Sequence, residues 1–283
     1  MDPGFKSLRP YHFSSCTNRG FSMMTTPSVR SKISFDGKTI QVQHWLPNEK
    51  RSLIPWILFH DSLGCIELWR DFPALMANAL GAEVYAYDRW GFGQSSVRSE
   101  LPRPDFISQE AAEFQKIFLE HLGLKKVYLF GHSVGGAMAL CCAERFPEAI
   151  AGVVTEATQA RVETQTTEGI VTAYKSFKEP GQMKRLEKYH GDRAAWVLSA
   201  WHDVWLSPEF ADWSIGREVR NLRCPVLALH GDHDEYGSAR FPQLIADLTS
   251  HGQMKLIENC GHVPHREYPE MILNELVHFV VGK

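Results

Sequence analysis

The stretch Val127–Gly136, Val-Tyr-Leu-Phe-Gly-His-Ser-Val-Gly-Gly, limits the possible folds of this chain more than any other. Val127–Phe130 is a short apolar, β-prone run with turn residues straight after it, the pattern of a fully buried strand. Gly131-His132-Ser133-Val134-Gly135 then reads G-x-S-x-G, and Ala137–Arg145, rich in Ala, Met, Leu and Cys, reads as a buried helix ending near Pro147. Strand, sharp turn and helix together are the setting of a nucleophile elbow. A serine on so tight a turn sits in strained backbone, and the flanking Gly131 and Gly135 leave room for the chain to fold back. Its hydroxyl is pushed out above the carboxyl ends of the strands. The helix behind it offers free N–H groups and the positive end of a dipole.

A serine hydroxyl is a poor nucleophile until a base takes its proton, and the base needs a carboxylate to orient it. Two further buried-strand runs supply candidates. Val226–His230 breaks at Gly231-Asp232-His233-Asp234-Glu235-Tyr236, and Lys255–Ile257 leads to Gly261-His262-Val263-Pro264-His265. The order Ser133, Asp234, His262 is one of the known triad orders. The long gap before Asp234 leaves room for an inserted segment, and the separation of 28 positions from Asp234 to His262 fits one helix and one strand. Asp232 competes with Asp234, and His230, His233 and His265 compete with His262. Motif position favours Asp234 and His262.

From Trp56 onward strand and helix patterns alternate, which predicts an α/β fold with a doubly wound, mostly parallel sheet and right-handed crossovers. Before it, Lys32–Phe35 and Thr39–Trp45 flank Asp36-Gly37 as a hairpin. Helices are predicted over Leu68–Leu80, Phe106–His121, Ala239–Leu248 and Pro269–Val281. Residues 157–213 break the alternation: no strand candidate appears, and three helical stretches follow one another, Thr167–Phe177, Gln182–Tyr189 and Arg193–Leu206. Asp192 is the expected N-cap of the third, and a fourth short helix is expected at Ser207-Pro208.

With these motifs in this order, the chain resembles the α/β-hydrolase fold superfamily, in its capped, Ser-Asp-His, bacterial esterase-like form, over roughly residues 30–283. The family's acid follows G-x-x-D, here Gly231–Asp234. Its base sits in G-H-x-x-x-x-E-x-P, here Gly261-His262 through Glu267-Tyr268-Pro269. The resemblance implies catalytic Ser133, Asp234 and His262, and an oxyanion hole made of the backbone N–H groups of Ser62 and Val134. Ser62 belongs to His60-Asp61-Ser62-Leu63-Gly64, where the family has H-G-x-x-G, so Asp61 stands where glycine is usual. A carboxylate aimed at the hole would oppose an oxyanion, so Asp61 is expected to point away. Asp88-Arg89-Trp90-Gly91-Phe92-Gly93-Gln94-Ser95 resembles the family's D-x-R-G-x-G-x-S turn and reads as structural.

The resemblance also divides the chain. Residues 1–26 read as a disordered leader or an expression remnant, 27–156 as the first part of the hydrolase core, 157–216 as a helical cap, and 217–283 as the second part of the core. The cap holds Trp196, Trp201, Trp205 and Trp213, four of the eight tryptophans. The first three are candidate pocket residues, with packing inside the cap as the alternative.

Composition excludes several function classes. A net charge of −3 on 283 residues leaves no footprint for nucleic acid or a membrane surface. The six cysteines show no C-x-x-C, which suits free thiols in a reducing cytoplasm, and the 13 histidines show no metal-ligand spacing, so no cofactor and no metal is expected. The function so read is hydrolysis of a small or medium apolar ester through an acyl-enzyme, with a small-molecule substrate as the only implied partner. Lactone opening, C–C bond hydrolysis, a slow-turnover ligand receptor and cofactor-free oxygen chemistry remain alternatives on the same residues.

Overall fold

The structure, a computed structural model, describes residues 26–219 and 222–282, so most of the predicted leader lies outside the described residues. Eight strands form one sheet: β1 (Ser28–Phe35), β2 (Lys38–Trp45), β3 (Trp56–Phe59), β4 (Val84–Tyr87), β5 (Val127–His132), β6 (Ile150–Glu156), β7 (Val226–Gly231) and β8 (Gly252–Ile257). Their order is β1-β2-β4-β3-β5-β6-β7-β8. The β1–β2 hairpin and the β2–β4 pair are antiparallel, and every later pair is parallel.

Two apolar cores follow from the side-chain alternation of the strands. Ile57, Phe59, Val127 and Leu129 face one, with α2 (Phe106–Phe114), α3 (Val134–Arg145) and the inserted helices packed there. Trp56, Leu58, Tyr128 and Phe130 face the other, under α1 (Phe72–Leu80) and a C-terminal helix over Pro269–Val281. β3, β4 and β5 are buried on both faces, which is why they read as unbroken apolar runs.

The insertion follows β6. It comprises α4 (Thr164–Ser176), α5 (Gln182–His190), α6 (Ala194–Trp205) and the short α7 (Ile215–Glu218). An isolated bridge between Arg161 and Ser214 closes its neck. His190 fastens it to the core: Gly93 N–H donates to His190 Nδ1 at 3.0 Å, and His190 Nε2–H donates to the Leu63 carbonyl at 3.0 Å. Burial pushes the His190 imidazole down to about 4, so it bridges as a neutral ring. Arg193 donates to the Gly93 and Ser95 carbonyls of the same turn.

Three local expectations need correction. The helix expected over Leu68–Leu80 is a 3₁₀ turn, Ile66–Trp69, and then α1; Arg70, at φ 53°, breaks the run and Pro73 restarts it. Leu75, an apolar residue on the inner side of an uninterrupted helix over Leu68–Leu80, is instead 46% exposed. No helix begins at Ser207-Pro208, where the chain turns, and α7 forms further on. Asp192 lies within a 3₁₀ turn, Gly191–Arg193, so α6 starts from Arg193 without a side-chain cap. The chain closes with α8 (Phe241–Ala246), α9 (Pro264–Glu267) and α10 (Pro269–Val281).

Candidate active site

The elbow has the backbone its sequence demands. Ser133 sits at φ 55°, ψ −128°, between the end of β5 and the first turn of α3. Glycine is needed around it because the chain approaches itself closely. A Cβ on Gly131 would lie 2.3 Å from the Gly135 carbonyl oxygen, and one on Gly135 would lie 2.2 Å from the Phe59 carbonyl oxygen. The second clash shows the start of α3 abutting the end of β3, where the His60–Gly64 loop leaves the sheet. That contact brings the Ser62 loop beside the elbow. Ser133 N–H donates to the Glu156 carbonyl at 2.8 Å, tying the turn to the end of β6.

Ser133, His262 and Asp234 meet although they lie far apart in the chain. Ser133 Oγ is 3.1 Å from His262 Nε2, and His262 Nδ1 is 2.9 Å from each Asp234 carboxylate oxygen. All three are buried. Asp234 Oδ1 also accepts from Tyr236 N–H at 2.8 Å, and His230 Nε2 lies 3.3 Å from Oδ2. Burial opposes charge on His262, but the Asp234 charge and hydrogen bond, with Glu235 nearby, outweigh it and push the imidazole up to about 9. Asp234 stays ionised, below its ordinary range, because His262 outweighs the burial that would raise it.

Of the competing residues, His230 backs Asp234 and the others lie elsewhere. Asp232 accepts from Cys260 N–H at 3.3 Å, and its neighbour His233 is largely exposed. His265 Nδ1 is 2.5 Å from Glu156 Oε2, beneath the elbow and packed on Trp69 and Phe72. His132 Nε2–H donates to the His262 carbonyl at 2.7 Å and so holds the histidine loop. His60 and Arg89 are structural: Arg89 N–H donates to His60 Nε2 at 3.1 Å, and the Arg89 guanidinium donates to the Asp61 carbonyl at 2.7 Å. Asp88 accepts from Ile66 and Gln94 N–H, which knits the glycine turn to the loop after β3.

Asp61 is in the wall of the site, with both oxygens engaged. Oδ1 accepts from Leu63 N–H at 3.0 Å, and Oδ2 faces His132 Nδ1 at 3.4 Å. Burial works against its charge, but His132, His60 and Arg266 outweigh it and hold the carboxyl well below the usual range. The Ser62 and Val134 N–H groups have no acceptor among the described residues. They suit a donor pair for an incoming oxygen.

Ser133 opens on a cavity of about 20 Å³, room for roughly one water. Its wall includes Asp61, Ser62, Ile170, Trp201, Trp205 and Tyr236. Trp196 is not part of it. It packs edge-on against Phe92, over Gly91, because five residues of helix turn it away from the face that Trp201 shares with Trp205. Tyr236, whose ring stands 4.7 Å from that of His262, was not singled out by the sequence, nor were Gln159 and Thr166, which line the cavity as well.

One group of side chains could hold a cation. Ligand atoms of His132, Glu156 and His265 lie within 4.8 Å of one another. Sequence spacing gave no sign of it, because each comes from a different element. The three are engaged with one another and with the His262 carbonyl. Burial pushes Glu156 up to about 7 and His265 well down, as expected of a buried pair sharing a proton.

A sheet of this order, an elbow serine and a histidine–carboxylate pair on the loops after later strands define the class: the chain has the α/β-hydrolase fold. The sequence signature described as alpha/beta hydrolase fold matches residues 55–179. The proline iminopeptidase of Lactobacillus acidophilus is 20% identical over 274 residues, covering 83% of this chain and 92% of that protein. Carboxylesterase YbfK of Bacillus subtilis is 25% identical over 266 residues, covering 83% and 82%. The structure of a 2-hydroxy-6-oxo-6-phenylhexa-2,4-dienoate hydrolase from Rhodococcus sp. strain RHA1 superposes with a TM-score of 0.74 at 16% identity, over 90% of this chain and 99% of that one. Among the described residues no helix is long and apolar enough to cross a membrane.

Proposed function

We propose that this chain is a serine hydrolase that cleaves small esters through an acyl-enzyme. The observation that carries the reading is the continuous hydrogen-bonded line from Ser133 Oγ through His262 to Asp234, on an elbow whose backbone presents the hydroxyl. Ser133 attacks the carbonyl carbon as His262 Nε2 takes its proton, and Asp234 keeps Nδ1 protonated and stabilises the imidazolium. The Ser62 and Val134 N–H groups hold the oxyanion, a contribution of about 3–4 kcal/mol per donor. The tetrahedral species collapses, His262 protonates the departing alkoxide, and water, deprotonated by His262, releases the acid. Residues 157–216 act as the cap. The likeness to a carboxylesterase supports the ester reading, and the small cavity, walled in part by Trp201, Trp205 and Tyr236, supports a short acyl group.

A second reading, release of an N-terminal residue, draws on the likeness to proline iminopeptidase and on the Asp61 carboxylate in the wall, a possible anchor for an ammonium. Asp61 Oδ1 already accepts from Leu63 N–H and Oδ2 faces His132, which favours the ester. Steady-state rates on p-nitrophenyl acetate and butyrate, beside proline p-nitroanilide and a γ-lactone, decide between them. The ester reading expects the highest kcat/KM on the short esters; faster release of p-nitroaniline would replace it with the peptidase.

The pH profile carries a sign. His262 works as a base only when neutral, and its imidazole is raised to about 9. Thus kcat/KM should climb from neutral pH and level off near or above pH 9, with slope one on a logarithmic plot. A plateau already reached at pH 6 would contradict that environment for His262.

The two cavity tryptophans should separate on truncation. Trp201 meets Tyr236 edge-on at 6.0 Å, whereas Trp205 also packs on Phe210 and Trp213 inside the insertion. Trp201→Ala should therefore raise relative kcat/KM for longer acyl chains in a C2-to-C12 series, while Trp205→Ala costs roughly 3–5 kcal/mol of stability. A Trp201→Ala variant with an unaltered chain-length profile and a depressed melting temperature would assign Trp201 to packing alone.

A further inference from the structure

The cavity beside Ser133 is not uniformly apolar. Directly after β6 the chain turns at Ala157, φ 50°, and carries Gln159 into the site. Gln159 is only 3% exposed, and its side-chain oxygen accepts from Ser133 Oγ at 3.3 Å. Among the described residues its amide makes no other hydrogen bond. The adjoining wall comes from α4, where Thr166 and Ile170, one helical turn apart, both line the cavity. Thr166 is 1% exposed, and its hydroxyl has no hydrogen-bond partner among the described residues. α4 is fixed in this place by Gln165, whose amide donates to the Asp234 carbonyl at 2.7 Å and the Gly237 carbonyl at 3.2 Å.

Buried polar groups are nearly always satisfied, and one left without a partner lowers stability unless something else fills the role. A valine would fit the Thr166 position in an apolar pocket, and a leucine the Gln159 position, with no such penalty. An amide and a hydroxyl can each both donate and accept. Gln159 reaches the Ser133 oxygen itself, so whatever it binds in a substrate lies within one or two carbons of the scissile carbonyl.

We propose that Gln159 and Thr166 form a polar subsite for the acyl group, and that the substrates are esters of short hydroxy- or oxo-acids, oxygenated at the carbon next to the carbonyl or one further. This rests on Ser133 being the nucleophile. The subsite selects by what it leaves unpaired: a plain alkyl chain leaves the Thr166 hydroxyl and the Gln159 amide N–H groups without partners, whereas an oxygenated chain satisfies them.

The test compares ethyl butyrate with ethyl 2-hydroxybutyrate, ethyl 3-hydroxybutyrate and ethyl 2-oxobutyrate, read as the ratio of kcat/KM for each oxygenated ester to that for the plain one. A ratio is independent of the fraction of protein folded. In the unsubstituted chain it should exceed roughly tenfold for at least one oxygenated ester. Thr166→Val and Gln159→Leu should each bring it down toward one, and Thr166→Ser, which keeps the hydroxyl, should retain it. No preference in the native chain, or a ratio that survives both substitutions, overturns the proposal even when the protein reacts with a fluorophosphonate. A chain that neither reacts with fluorophosphonate nor turns over any ester overturns the hydrolase reading and this proposal together.

Discussion

Ser133→Ala abolishes turnover on the best ester while the melting temperature stays within a few degrees of the parent. The loss expected is on the order of 10⁶ in kcat, leaving only what binding and the oxyanion donors supply. Among the described residues, Ser133 carries the hydroxyl within hydrogen-bond distance of His262 Nε2. His132, next to it, is held by the His262 carbonyl, and the cysteines of α3 are buried in the core. Stability changes little because alanine inherits the same backbone and only two side-chain hydrogen bonds are lost, to His262 and Gln159. Each is worth about 1 kcal/mol net. Retention of more than a small fraction of kcat, measured beside a thermal melt, would remove Ser133 from the chemistry.

Asp234→Asn is expected to lower kcat on the order of 10⁴ with the fold intact. The asparagine offers a neutral amide to His262 Nδ1. The imidazole can then settle with its proton on Nε2, the nitrogen that must accept from Ser133, 3.1 Å away. Removing the carboxylate also removes the largest influence raising the imidazole, so the ascending limb of the pH profile moves to lower pH as the rate falls. Asp232→Asn should leave both within a small factor, since its carboxylate faces the Cys260 N–H and solvent. If the two variants exchanged these effects, the loop after β7 would carry its acid two residues earlier.

The sheet and the triad candidates were legible for one reason: they depend on local sequence. A doubly buried strand must be apolar, a sharp turn must be glycine-rich, and a parallel sheet places its site at the carboxyl ends of the strands. The same reasoning missed Gln159, Thr166 and Tyr236. Gln159 belongs to a short polar run straight after β6, and polar residues at that edge of a parallel sheet were the available signal. Thr166 lies on a helix whose inward face is decided by how the insertion docks, through His190 and Arg193, and no periodicity carries that information. Trp196 shows the same limit: all three tryptophans share one helix, and only the docking angle decides which of them meet the cavity. The break at Arg70 was hidden because the apolar positions around it continue in helical register although the backbone does not.

Asp61 is where the resemblance and the structure have most to say to each other. A carboxylate replaces the usual glycine of the oxyanion loop, yet Leu63 N–H takes one of its oxygens and the other faces His132. Gly64 makes this possible, since a Cβ there would lie 2.6 Å from Asp61 Oδ1. The negative charge is thereby spent on holding the loop beside the elbow helix.

The central claim, that Ser133 is an activated nucleophile, is tested most directly by reaction with a fluorophosphonate followed by peptide mapping. The expected result is one stoichiometric adduct on the peptide carrying Ser133, absent in Ser133→Ala and strongly slowed in Asp234→Asn. An unlabelled protein, or an adduct on a different residue that persists in Ser133→Ala, would contradict it.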